Sequence, residues 1–205
     1  KYEVIGKNLQ IFQGKITLGE LDFLIKNSRF GTVSHIELVY KFYVYDSSFE
    51  NELERWIGPN RRDSLLQKIE KLKQRQFPIL FKPETRKLLS ELSLKAENLI
   101  QSVCFKACLF VPKGIQHTHI EQLNQNCIAG FWLHFEEFTS EEYFGNQYFL
   151  PEKKDWPVSP EYSEKWFSYS EIKKEILVQH QKKRSPLVWI RRNNREFERI
   201  FIVWW

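Results

Sequence analysis

Two acids on neighbouring strand-like segments, Asp22 and Glu37, are the residues here whose type and spacing could do chemistry. Side chains alternate between the two faces of a strand. In Gly19-Glu20-Leu21-Asp22-Phe23-Leu24-Ile25, one face carries Leu21, Phe23 and Ile25, and the other carries Glu20 and Asp22. In the segment His35–Tyr43, one face carries Ile36, Leu38, Tyr40 and Phe42; the other carries His35, Glu37, Val39, Lys41 and Tyr43. A hairpin turning about Arg29-Phe30 sets Asp22 opposite Glu37. Directly opposed carboxylates repel by up to about 1 kcal/mol on an exposed sheet, and more when buried. Such a pair implies a positive group between the two. Mg²⁺ or Mn²⁺ suits it, because a hard cation takes one or two carboxylates and completes its shell with water and a substrate phosphate. Lys41, further along the face of Glu37, would hold an attacking water or offset phosphate charge. The plain alternative is an acidic pair on the wet face of a hairpin, balanced by a nearby lysine.

The elements that must position these residues follow from pattern. Residues 1–45 read as a three-stranded meander, with turns at Gln13-Gly14-Lys15 and at Asn27-Ser28-Arg29-Phe30-Gly31. Residues 46–60 form a connector ending in Gly58-Pro59-Asn60, in which Trp56 anchors to the core. Leu65, Ile69 and Leu72 then recur at helical spacing, with Asn60 or Asp63 as the cap and Pro78 as the stop. Pro83-Glu84 opens a second helix. Later come strands at 103–111 and 129–135, an irregular stretch over 143–166, a helix at 170–181, and a closing hairpin of 187–191 and 197–205 around Asn193-Asn194. Residues 61–76 carry Arg61, Arg62, Lys68, Lys71, Lys73 and Arg75 against only Asp63 and Glu70. As a basic helix after the acidic hairpin, this segment would lay charge on a phosphate backbone; as a solvated amphipathic helix it would bind nothing.

Composition bounds the function classes. With 42% hydrophobic and 28% charged residues in a chain of 205, an ordinary globular core is expected rather than disorder. No apolar run approaches the roughly 20 residues of a membrane-spanning helix. Cys104, Cys108 and Cys127 cannot form a disulfide framework and no secretory leader is evident, so a cytoplasmic setting is expected. No methionine occurs, which reads as a fragment or as a chain missing its methionines. A formal charge of +5 permits nucleic-acid contact without demanding it. His117-Thr118-His119 offers two imidazoles without a third or fourth zinc ligand, and a loop with no metal is the preferred reading. Cys127 lacks a His–Asp setting for nucleophilic catalysis, and no phosphate-cradling glycine loop is present. Phe201, Val203 and Trp205 would offer an apolar edge for a homodimer unless the last strand is buried.

A strand ending in an aspartate, a hairpin, and a strand with a glutamate and a lysine on one face resemble the PD-(D/E)XK nuclease-like superfamily. The phrases Leu18-Gly19-Glu20-Leu21-Asp22-Phe23, His35-Ile36-Glu37-Leu38-Val39-Tyr40-Lys41-Phe42-Tyr43 and Trp56-Ile57-Gly58-Pro59-Asn60-Arg61-Arg62-Asp63-Ser64-Leu65 resemble an uncharacterised bacterial family placed in it, as do Gly130-Phe131-Trp132 and Lys154-Asp155-Trp156. The resemblance implies a single α/β domain over 1–205: a restriction-endonuclease-like core over 1–112, with a meander and flanking helices, and an α/β extension over 113–205. It implies a Mg²⁺- or Mn²⁺-dependent nuclease with Asp22, Glu37 and Lys41 as catalytic residues and Asp22, Glu37 and Glu20 around the metal. Arg61, Arg62 and Lys68 would then hold the nucleic acid. The superfamily's usual lysine stands two residues after the glutamate, where this chain has Val39; Lys41 lies two residues further on, on the same face and about 7 Å along the strand from that position. That departure opens a second expectation, a nuclease-like fold that has lost its chemistry and serves as a nucleic-acid or protein scaffold. A third is a plain α/β interaction domain.

Overall fold

A computed structural model describes residues 1–115, 122–192 and 196–205. The chain forms two compact units, one of Lys1–Lys41 with Gln67–Ala107 and one of Phe42–Leu66 with Cys108–Trp205. The class is mixed α/β, as expected, and nine strands share one hydrogen-bonded sheet.

The first unit opens on the meander. Strands β1 (Tyr2–Gln13), β2 (Ile16–Asn27) and β3 (Val33–Tyr45) pair in sequence, β1 with β2 and β2 with β3 antiparallel. The second turn closes as its residues dictate. The Asn27 N–H donates to the Thr32 carbonyl and the Gly31 N–H to the Asn27 carbonyl, both at 2.8 Å, while the Asn27 side chain accepts from the Arg29 N–H at 3.0 Å. Gly31 sits at φ 68°, a left-handed conformation suited to glycine. This turn sets the register Phe23↔Ile36, Leu24↔His35, Ile25↔Ser34 and Lys26↔Val33, the alignment expected from sequence.

Burial departs from the alternation read in sequence. On β3 the buried face is Val33, His35, Glu37, Val39 and Tyr43, whereas Leu38 and Tyr40 are 45% and 40% exposed. On β2, Leu21 and Leu24 are both fully buried in one cluster with Ile11, Ile79, Leu80, Leu89 and Ala96, although they stand an odd three positions apart. The β1–β2 pairing shifts register between Val4 and Gly6, opposite Ile25 and Leu24.

The helical segment beside this sheet is not one continuous helix. Helix α1 (Leu65–Lys71) gives way to a π-helical turn over Leu72–Gln76 and a 3₁₀ turn over Phe77–Phe81. Contrary to expectation, Pro78 does not stop the α-helix: α1 ends at Lys71, and Pro78 sits at the start of the 3₁₀ turn, where its missing N–H is tolerated. Helix α2 (Pro83–Glu91) starts at its proline, and the Thr85 hydroxyl donates to the Ile79 carbonyl at 2.6 Å.

The second unit contains β4 (Trp56–Ile57), paired with the end of β3, then β6 (Ile128–His134), α3 (Ser140–Tyr143), β7 (Gln147–Phe149), α4 (Tyr169–Gln181), β8 (Leu187–Arg191) and β9 (Phe197–Val203). The strand β5 (Leu99–Pro112) contributes to both units and starts four residues before the expected 103. Pairing of β5 with β6 and of β6 with β9 is parallel, and β8 is antiparallel to both β7 and β9. Strand β9 therefore lies inside the sheet between β6 and β8, with Phe201 and Val203 buried, so the last strand takes the buried alternative and offers no apolar edge there for a homodimer. Trp56 is fully buried, as expected. His117-Thr118-His119 and the tip Asn193-Asn194 fall outside the described residues. No helix among those described is long and apolar enough to cross a membrane.

Candidate functional site

Glu37 is the centre of a buried polar chain within the first unit. His35 and Glu37, two apart on β3, share a face, and both side chains have 0% exposure. His35 Nε2 donates to Glu37 Oε1 at 2.9 Å, because His35 Nδ1 is already the acceptor for Gln101 Nε2 at 3.1 Å. Gln101 Nε2 spends its other hydrogen on the Phe77 carbonyl at 2.9 Å. On the opposite side, Gln76 Nε2 donates to Glu37 Oε2 at 2.5 Å, and Gln76 Oε1 accepts from the Lys68 ammonium at 2.7 Å. Every donor in the chain points towards Glu37, the pattern required by an acceptor-only carboxylate. The π-helical turn ends at Gln76 and so delivers its amide to a partner 39 residues away in sequence.

Asp22 lies one step beyond the last β2–β3 pair, Phe23 with Ile36. Its Oδ2 accepts the Leu38 N–H at 2.8 Å, so the carboxylate continues the ladder where backbone pairing stops. Lys68 of α1 feels both acids. Burial, the first cause, and the neighbouring ammonium groups of Lys71 and Lys41 push the Lys68 pKa below its ordinary value, while Glu37 and Asp22 pull it up. Asp22, Glu37, Lys41, Lys68 and Lys71 thus form one electrostatic cluster, assembled from β2, β3 and α1.

The other expected residues lie elsewhere. Glu20 pairs opposite Gln10 of β1 and makes no hydrogen bond or ion pair with the cluster among the described residues. Arg61 belongs to the second unit, where it pairs with Asp46 at 3.1 Å and stacks 4.4 Å from the Trp205 ring. Arg62 also lies in the second unit, at a cavity described below. Arg61, Arg62 and Lys68 therefore do not line one basic helix: the first two precede α1 in a turn. Asn60 caps no helix, since its Oδ1 accepts the Ser185 N–H at 2.7 Å.

Two carboxylates suffice for Mg²⁺ when phosphate and water complete the shell. This pair does not fit that task as it stands. Both Glu37 oxygens already accept hydrogen bonds, the carboxylate has no exposure, and Lys68 stands close enough to oppose both acids. Among the described residues, no group of three or more His, Cys, Asp or Glu side chains stands ready to hold a metal ion.

The model of a family described as a domain of unknown function, DUF1853, matches residues 1–203. The chain belongs to that family. No curated protein and no solved structure matches it. Within this DUF1853 chain, Gln76 and Gln101 are the functional candidates that sequence reasoning missed. No local signal marks a glutamine that must satisfy a carboxylate on a distant strand.

Proposed function

We propose that the chain binds nucleic acid through its phosphate backbone at the cluster of Lys41, Lys68 and Lys71. In this reading the acids beneath position the ammonium groups and do no hydrolysis, and the fold is a PD-(D/E)XK-like core that has lost its chemistry. One observation carries it: Lys41 of β3 and Lys68 and Lys71 of α1 stand close enough for Lys68 to feel both neighbouring charges, beside the larger effect of its own burial, while Glu37 below them already accepts from His35 and Gln76. Gathered like charges invite an external anion, and a polyphosphate backbone supplies it with release of counterions. A cytoplasmic setting goes with this reading, since Cys104, Cys108 and Cys127 are free thiols.

The test is anisotropy titration of labelled single- and double-stranded DNA and RNA oligonucleotides across a salt series. Replacing Lys68 and Lys71 together by alanine should lower the slope of log affinity against log salt by about 2 and weaken binding on all sequences alike. An unchanged slope in that variant, or no binding even at about 50 mM salt, defeats the proposal.

A second reading is favoured by the alignment of Asp22 with Glu37 beside two lysines. It is a Mg²⁺- or Mn²⁺-dependent nuclease in which Gln76 swings away from Glu37 when substrate arrives. Saturable Mn²⁺ uptake by calorimetry, absent from Glu37→Ala, together with nicking that Asp22→Ala abolishes, would select this reading over the first.

A further inference from the structure

The second unit holds a cavity of about 540 Å³, within the size range of small-ligand sites. We propose that it binds a small phosphate monoester, an organic molecule carrying a terminal phosphate. Three cations line it: Arg62, Lys153 and Arg184. Elsewhere the arginines of this unit are engaged by the protein itself, Arg61 by Asp46, Arg192 by Glu198 and Arg55 by Tyr45 and backbone carbonyls. Arg62 and Arg184 have no side-chain hydrogen bond or ion pair among the described residues, and Lys153 has only the Trp156 ring, 5.9 Å away. The single acid in the lining, Glu152, is paired with Lys154 at 3.1 Å. The lining therefore carries a net charge of about +2, three cations against Glu152, which matches the −1.5 to −2 of a phosphate monoester near neutral pH.

Two hydrogen bonds tie together the segments that carry these groups. The Ser185 N–H and hydroxyl donate to Asn60 Oδ1 and the Pro59 carbonyl at 2.7 and 2.6 Å, clamping the 58–60 turn to the link between α4 and β8. That clamp brings Arg62 and Arg184 to one cavity. Each follows a non-glycine residue held in the left-handed region, Arg61 at φ 55° and Lys183 at φ 51°. Such conformations cost about 1–3 kcal/mol and gather where a site must be shaped. Arginine forks suit phosphate oxygens in a bidentate geometry. Leu150, Pro151 and Pro186 supply an apolar wall for the organic part.

Calorimetry of the whole chain with adenosine 5′-monophosphate, ribose 5-phosphate, inorganic phosphate and adenosine tests this. Saturable binding of either monoester is expected, absent for adenosine, and weakened at least tenfold (~1.4 kcal/mol or more) in the Arg62→Ala, Arg184→Ala double variant. The milder Arg184→Lys variant should retain part of the affinity and guards against a folding defect. Undiminished binding in the double variant, or no monoester binding at millimolar concentration, overturns the proposal. Loss of oligonucleotide affinity in that variant without monoester binding also overturns it, and assigns the arginines to nucleic acid. Loss at Lys68 and Lys71 alone bears on the first-unit surface and leaves the cavity standing.

Discussion

At the scale of single residues, Glu37 shows how a buried charge is made tolerable. An ionised group without partners in the interior is too costly to keep, so it is retained only where donors surround it. His35 and Gln76 each take one oxygen, and Lys68 extends the chain of donors to the surface of the unit. Gln76→Ala should therefore destabilise the chain by about 1–3 kcal/mol or more, because Glu37 Oε2 then stays buried with nothing to accept from. Urea unfolding with an unchanged slope reads this directly, and a shift of the midpoint within error would show that Glu37 finds another donor. The face that carries these residues was visible in the alternation of 35, 37, 39 and 41; its burial was not. The apolar alternative, Ile36–Phe42, looks the better core face by composition. What reverses the choice is Gln76, whose approach from a separate segment makes the polar face affordable.

At the scale of elements, local chemistry explains what was legible. The Asn27–Thr32 turn needs only its own six residues, and a hairpin's register follows from its turn, so the alignment of β2 with β3 could be read directly. Helix α4 was legible for the same reason, since the Ser168 N–H and hydroxyl both donate to Glu171 three residues later, at 2.8 and 2.6 Å. The π-helical turn over Leu72–Gln76 has no such local signature and follows from what the segment packs against. The end of α4 carries a pH prediction. Burial lowers the pKa of His180 from its ordinary value, against a backbone bond from its ring to the Ile202 carbonyl and the charge of Glu136. Folded His180 then resists protonation more than the unfolded chain does. Its stabilising effect is complete above about pH 6.5, the unfolded value, and is lost as pH falls through the unfolded and then the folded pKa. The thermal midpoint of His180→Gln should accordingly fall less than that of the parent between pH 7 and 5; parallel curves would remove His180 from the acid limb.

At the scale of the whole molecule, β6 is the critical strand, placed between β5 and β9 with parallel pairing on both sides. Gly130 permits that close pairing, since a Cβ there would stand 2.0 Å from the Arg199 carbonyl oxygen and 3.0 Å from the Phe110 ring. Backbone on the far side cannot yield cheaply, so Gly130→Ala should cost about 2–4 kcal/mol, in the upper part of the range for point substitutions. A differential scanning trace would show a fall of several degrees, about 2–4 °C per kcal/mol for a chain of this size. A midpoint unchanged within a degree would mean that β6 and β9 are not in contact at that point.

The amino-acid sequence alone determined the mixed α/β class, the three-stranded opening meander, the β2–β3 register and the burial of Trp56, because each rests on turn chemistry, periodicity or side-chain size within a short stretch. Tertiary structure decided that Glu37 is enclosed, that Lys68 from α1 comes close enough to feel its charge, that Arg61 and Arg62 belong to another unit, and that the last strand is interior. Those outcomes depend on which distant segments meet, and the free energy of a buried charge is set by the partners that reach it, not by its neighbours along the chain.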